Sequence, residues 1–400
     1  MTLYKIGGAT VEKGDHNFET LLAAAYGARQ RPKCLCRPGG VDMYVARIDE
    51  RYVIKRMPYS ADDHDPVCTS YEPPPELSGL GEVLESAIIE VPDLDATTLK
   101  LQFALTKSGG RAAPKPDDGD VDSVKTDARK LSLRALLHFL WEQAGFHKWS
   151  PAMHGKRHWA VLRKYLLQAA RHKQVKGYDL SDLLYIPEPF TLERKQAIAH
   201  RRTAQLAQVA QTGGHQGQRR LLVLIAEVKD FAPSRNGHKL VVRHSADFPF
   251  MLGPGMNERL LKRFDQELSL WGSIDGTHLV TIATFGVNQA GVATIEEMAL
   301  MATTENWLPF ENRAEKSLLD MLTADGRRFL IGLRYNLPQN RPLAVAVLAD
   351  TKPPTAMFVP PIGSGDDYAA ALAELIDGSK MTAWVWHPES GDMPHIARPA

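Results

Sequence analysis

The chain has 400 residues, 44% of them apolar and 24% charged, and a formal net charge of +1. These values fit a folded globular protein of two to four domains and exclude a disordered, collagenous or uniformly polybasic chain. No stretch approaches the roughly 18 uninterrupted apolar residues of a membrane span, and "MTLYKIGGATVEKGDHNFE" lacks the pattern of a secretory leader. Three cysteines is an odd number, which argues against a closed disulfide framework and for reduced thiols in a cytoplasmic setting.

In chain order, residues 1–106 contain "VDMYVARIDERYVIKRM", two β-branched and aromatic runs that predict an antiparallel hairpin, and "TTLKLQFALT", which predicts a strand. Residues 107–127, "KSGGRAAPKPDDGDVDSVKTD", carry no large apolar cluster and read as a linker. Residues 128–218 read as helical. Leu133, Leu136, Leu137, Leu140 and Ala144 recur at helical spacing before Gly145. "GKRHWAVLRKYLLQAARHK" and "TLERKQAIAHRRTAQLAQVA" predict two more long helices, and "DLSDLLYIPEPF" a short one stopped by Pro187 and Pro189. Residues 219–300 give strands at "RLLVLIAEV", "HKLVVRHS" and "THLVTIATFGV" and a helix at "MNERLLKRFDQELSLW". Residues 301–400 read helix, three strands, helix, strand, the αβββαβ order of a restriction-endonuclease-like core. The expected class is thus multidomain α+β.

All three cysteines lie near the N-terminus, as Cys34-x-Cys36 and, 27 residues later, His64-x-x-x-Cys68. Three thiolates and an imidazole suit tetrahedral zinc. The hairpin between the pairs returns His64 and Cys68 to the end where Cys34 and Cys36 lie, and "RPGG" supplies the tight turn of a metal knuckle. A fully ligated metal is structural, because a catalytic zinc keeps a position for water or substrate. His16 is the alternative imidazole.

With the cysteines, "YVIKRMP", "HDPVCTSYEP", "AEVKD" and "RRFLIGLRYN" in hand, the chain resembles the bacterial "domain of unknown function 1173" family over nearly its whole length. The resemblance implies no particular chemistry. It implies a passenger of plasmids and integrative elements, and so an association with nucleic acid.

Residues 143–226 hold fourteen Lys or Arg against four Asp or Glu, a local charge of +10 that leaves −9 for the remainder. Such asymmetry suits phosphate binding, and three helices can form a winged-helix-like module. Lys156, Arg157, Arg163, Lys164, Arg171, Arg201 and Arg202 are the candidate contacts to DNA or RNA. Trp141, Trp149 and Trp159 in the same region can stack on bases or fill a core.

Glu315 on a helix and Asp350 at a strand end occupy two positions of a PD-(D/E)xK-like nuclease, which would use Mg²⁺. The Glu-x-Lys expected on "TAMFVPP" is missing, and the pair Glu227 and Lys229 lies in another region. The region is therefore expected to be a degenerate nuclease-like fold. The expectation for the whole chain is a nucleic-acid-associated accessory protein with structural zinc. Alternatives are a metal-dependent nuclease with an unconventional site and a protein-binding scaffold.

Overall fold

The computed structural model describes residues 2–48, 50–91, 96–108, 129–210, 218–235 and 237–399. The fold is mixed α+β, with ten α-helices among the described residues. At the N-terminus, β1 (Leu3–Ile6), β2 (Ala9–Glu12), β3 (Lys33–Cys34), β4 (Val41–Ile48) and β5 (Arg51–Arg56) form an antiparallel sheet ordered β2-β1-β3-β4-β5. The hairpin read from alternating β-branched residues is β4–β5, with Val45 opposite Ile54. α1 (Phe18–Gly27) lays Phe18, Leu22 and Ala25 against Tyr4, Ile6, Val11 and Met43. Cys34 is part of this small core.

A short helix, α2 (Leu80–Val83), leads into β6 (Ile88–Val91) and β7 (Ala96–Leu99). The strand expected over 97–106 ends at Leu99 and resumes as β8 (Thr106–Ser108), which pairs with β13 (Gln218–Arg220). The chain is thus in a strand where the linker reading begins; residues 109–127 of that reading lie outside the described residues. α3 (Leu133–Gln143), α4 (Trp159–Ala170) and α6 (Lys195–Ala210) form where the periodicity places them. Ser132 Oγ caps α3 by accepting from the Ala135 amide, and Gly145, at φ +76°, ends the helical path. α3 is buried nearly all round, so His138, Phe139 and Trp141 are core residues beside the leucines. Trp149 and Trp159 are buried as well, so the three tryptophans pack the core. β9 (Lys148–Trp149) separates α3 from α4, and β10 (Lys173–Val175) and β11 (Tyr178–Asp179) extend the β6–β7 sheet. α5 (Leu180–Leu183), capped by Asp179 Oδ1 on the Ser181 amide, is a single turn before β12 (Leu184–Tyr185).

The next segment closes on itself. β14 (Leu222–Ser234), β15 (Gly237–Val242), β16 (Phe250–Leu252), β17 (His278–Val287) and β18 (Ala293–Thr303) pair in the ring β14-β15-β16-β18-β17 and back to β14. β14 divides its partners: Leu222–Glu227 faces β17, and after a register shift between Val228 and Asp230 the rest faces β15. A bulge of this kind lets one long strand bend from one side of a barrel to the other. Between β16 and β17 lie α7 (Met256–Arg263) and α8 (Asp265–Ser273), which replace the single helix expected there; the break at Phe264 lets Leu260, Phe264 and Leu270 all bury. β18 was not among the expected strands.

After the barrel come α9 (Arg313–Ala324), β19 (Phe329–Ile331), β20 (Ala346–Leu348), β21 (Thr355–Phe358), α10 (Asp366–Gly378) and β22 (Thr382–Val385). β19, β20 and β21 run antiparallel in turn, β22 is parallel to β21, and β9 completes the sheet beside β19. One face of this sheet joins Leu318, Leu319 and Leu322 of α9 in a core that extends from Val83 to Val359; the other face buries Val347, Ala356 and Phe358 under Leu372 of α10.

An ion cluster joins the N-terminal sheet to the rest. Glu72 accepts from Arg56 at the end of β5 (3.1 Å) and lies 2.8 Å from both His147 Nε2 and Lys148 Nζ. Lys148 Nζ also donates to the carbonyls of Thr69 and Tyr71. Burial pushes the Glu72 carboxyl up, but His147, Lys148 and Arg56 outweigh it and hold the group well below its ordinary value. Its contribution to stability is therefore present above the unfolded carboxyl pKa of about 4.3 and is lost as the pH falls toward the lower folded value. Glu72→Gln is expected to lower the unfolding free energy at pH 7 by about 2–3 kcal/mol, less than for a wholly buried pair because Arg56 and Lys148 reach solvent. Chemical denaturation measures this; an unchanged midpoint contradicts the role given to the cluster.

Candidate metal centre

Cys34 sits on β3, held between β1 and β4 opposite Tyr4 and Val41, and is fully buried. Two residues on, Cys36 begins the turn through Arg37-Pro38-Gly39-Gly40, where Gly39 and Gly40 take φ of +84° and +71°. A Cβ on Gly40 would also lie 3.0 Å from the Lys33 Cβ, a tight contact, so the positive φ and the crowding both favour glycine there. The β4–β5 hairpin then carries the chain out and back. In the turns that follow, the Cys68 amide donates to the Asp65 carbonyl at 2.8 Å and the Tyr71 amide to the Cys68 carbonyl at 3.1 Å.

The four side chains meet as their spacing predicts. One ligand atom from each of Cys34, Cys36, His64 and Cys68 lies within 4.8 Å of the others. Cys34 Sγ and Cys68 Sγ are 3.7 Å apart, and His64 Nδ1 is 3.3 Å from Cys36 Sγ and 3.8 Å from Cys68 Sγ. A tetrahedral zinc with Zn–S near 2.3 Å and Zn–N near 2.0 Å sets its sulfurs about 3.8 Å apart and S···N about 3.5 Å. These three separations match those dimensions. His16 is exposed and outside it.

The electrostatics fit a cation. Burial above all, with Cys68 beside it, pushes the Cys34 thiol up to about 12, and burial raises the Cys68 thiol too. Such thiols ionise only with a positive charge among them, which a divalent metal provides. Burial and the nearby Arg56 lower the His64 pKa, keeping the imidazole neutral as a ligand must be. The Asp65 and Ser70 amides point at Cys36 Sγ and Cys68 Sγ, each at 3.5 Å, and Arg37 donates to the His64 carbonyl at 3.0 Å. His64 Nε2 is buried without a partner among the described residues. The orienting carboxylate common behind metal-bound histidines is therefore replaced here by packing and the Arg37 contact. Cys68 and Tyr71 pack on Leu330 and Ala349, so the cluster rests against the C-terminal sheet.

The seven basic candidates divide by environment. Arg157 donates to the carbonyls of Phe146, Asn306 and Lys148 and lies over the Phe146 and Trp149 rings. Arg163 donates to the Ile186 carbonyl, Arg201 forks onto Glu188, and Arg202 forks onto Asp247 while reaching Ser245 and the Phe248 ring. Those four guanidinium groups tie the chain to itself. Lys156 and Lys164 are exposed, and Arg171, also exposed, follows the last turn of α4.

Glu315 and Asp350 are likewise engaged. Asn312 Oδ1 accepts from the Glu315 amide, and the Glu315 carboxyl accepts from Asn312 Nδ2 and the Glu311 amide, a reciprocal cap at the start of α9. Asp350 accepts a two-pronged contact from Arg327 (2.7 and 3.0 Å) and the Arg328 amide. Glu227 lies buried 2.8 Å from His278 Nδ1 and 2.9 Å from Arg243 Nε, while Lys229 is exposed. Among the described residues, only the cysteine–histidine cluster gathers three or more potential metal ligands, so Glu227, Glu315 and Asp350 do not converge as one. The cap had a sequence signal, Asn312-Arg313-Ala314-Glu315, that marks a helix start and was not read.

No helix among the described residues is long and apolar enough to cross a membrane. No curated protein and no solved structure matches the chain. A family described as "Protein of unknown function (DUF1173)" matches residues 4–389, and the chain belongs to that family.

Proposed function

We propose that the chain is a nucleic-acid-associated accessory protein whose N-terminal module is held by structural zinc. The observation that carries the nucleic-acid reading is the barrel. Numbered within it, its five strands close in the order 1-2-3-5-4-1, with the helices between the third and fourth and a long bent first strand shared by the second and fourth. That is the arrangement of the small Greek-key barrels of the OB-fold, which bind oligonucleotides and oligosaccharides across their second and third strands. On those strands Leu240, Val242, Phe250 and Leu252 are buried, while Lys239, Val241 and Met251 are partly exposed beside exposed Lys229 and Arg235, and Arg243 is exposed but paired with Glu227. Cations flanking short apolar side chains suit a single strand, whose phosphates and bases need both. The barrel therefore supports the reading better than the basic helices, where the guanidinium groups of Arg157, Arg163, Arg201 and Arg202 are internally bonded. Membership of a mobile-element cargo is part of the proposal only through the family likeness.

The αβββαβ order of residues 313–385 gives some support to a nuclease-like outline in that region. The engagement of Glu315 and Asp350 with capping and Arg327 favours a degenerate over an Mg²⁺-dependent site.

Zinc loading is expected at about one ion per chain. Cys34→Ser should lose most of it and lower the melting temperature, and His16→Ala should change neither. Elemental analysis and calorimetry read both; full loading of the Cys34 variant contradicts the ligand set. For nucleic acid, anisotropy of a labelled single-stranded oligonucleotide across a salt series should give affinity falling steeply with salt. The double variant Lys229→Glu, Lys239→Glu should weaken it about tenfold or more and flatten the salt slope by about 1–2. Absence of salt-sensitive binding to DNA or RNA overturns the proposal.

A further inference from the structure

Where β15 ends and β17 begins, a buried carboxylate gathers two donors. Glu227, 5% exposed, accepts on Oε1 from His278 Nδ1 at 2.8 Å, and Arg243 Nε lies 2.9 Å from the same oxygen. Three strands bring these groups together. The Arg243 amide donates to the Glu227 carbonyl at 2.8 Å, which continues the β14–β15 pairing past Val242. On the other side Glu227 pairs with Val280 of β17, two residues from His278, so the histidine and the carboxylate share a face.

The imidazole is fixed in place. Its ring lies flat on Trp307, with 3.9 Å between centroids and 6° between planes. Trp307 is buried and takes a φ of +60°, a left-handed backbone that a bulky side chain adopts at a cost and that is retained chiefly at functional positions. A carboxylate oxygen only accepts, so the His278 ring proton is on Nδ1, and in the neutral ring Nε2 keeps its lone pair. Nε2 has no partner among the described residues and is open to solvent, the side chain being 27% exposed. The position continues the barrel face. Lys239, Val241 and Arg243 alternate with buried Leu240 and Val242, so they point to one side of β15. A strand laid over Lys239 and Val241 runs on to Arg243, which meets His278 at Glu227. The cations of that face offer only donors, whereas His278 Nε2 offers an acceptor. Phosphate oxygens cannot use it, because they accept. The ribose 2′-hydroxyl donates, and deoxyribose lacks it.

We propose that His278 Nε2 accepts from a ribose 2′-hydroxyl of the bound strand, so that the barrel selects RNA over DNA. Glu227 is the positioning residue that fixes the tautomer. The inference rests on the single-strand reading of the barrel and names its substrate class.

The test measures, by anisotropy at fixed salt, the binding of labelled uridine, 2′-deoxyuridine and 2′-O-methyluridine oligomers of one length to the full-length protein. The base is the same in all three, and the methyl ether keeps the 2′ oxygen while losing its proton. The uridine oligomer should bind about three- to tenfold tighter than either of the others, the worth of one hydrogen bond. His278→Phe keeps a ring against Trp307, removes the acceptor, and should bring that ratio to about one. The methyl ether arm uses the unaltered protein and so decides whether or not the variant folds. Equal affinity for all three, an advantage shared by the methyl ether, or a ratio that survives in His278→Phe overturns the inference while the single-strand reading stands. Absence of salt-sensitive binding to every oligomer overturns both.

Discussion

Three thiols and one imidazole meet in a space a few ångströms wide, and the N-terminal module, from β1 to the turns after β5, is built around that meeting. The sheet β2-β1-β3-β4-β5 has only α1 for cover and a handful of buried apolar residues, one of them Cys34 itself. Such a core is too small to order the long excursion from Cys36 through the hairpin to Cys68. A metal that ties the ends of that excursion removes its closure entropy and makes metal binding part of the folding free energy. Burial enforces the same conclusion from the electrostatic side, because thiols with raised pKa values are poor anions until a cation joins them.

From that centre, order passes outward through two contacts. Cys68 and Tyr71 pack on the C-terminal sheet, and Glu72, four residues past the last ligand, collects Arg56, His147 and Lys148. Lys148 belongs to β9, the strand that borders β19. The metal module is therefore coupled to the rest of the protein through charge as well as apolar packing, while the barrel stands on its own ring of backbone hydrogen bonds.

Local signals were legible in the sequence, and non-local ones were not. The hairpin, the long helices and the clustering of Cys34, Cys36, His64 and Cys68 each follow from spacing within a few dozen residues. β18 escaped because "ATIEEMALMAT" is rich in Ala, Met, Leu and Glu, which favour helix; pairing with β17 along ten register positions overrides that preference. The barrel escaped because its closure joins Leu222–Glu227 to a strand some sixty residues later, and no local pattern announces such a pairing. Carboxylates at 315 and 350 were found where a site might use them, but sequence spacing does not reveal that Asn312 and Arg327 hold them. Charge counting likewise does not reveal that Arg157 and Arg163 bond to carbonyls of the chain, or that Arg201 and Arg202 pair with Glu188 and Asp247.

The most direct test of the central claim is X-ray absorption at the zinc edge on the purified full-length protein. Three sulfurs at about 2.3 Å and one nitrogen at about 2.0 Å around a stoichiometric zinc is the predicted result. A first shell of oxygen and nitrogen alone, or protein that folds to its full stability without bound metal, would contradict it.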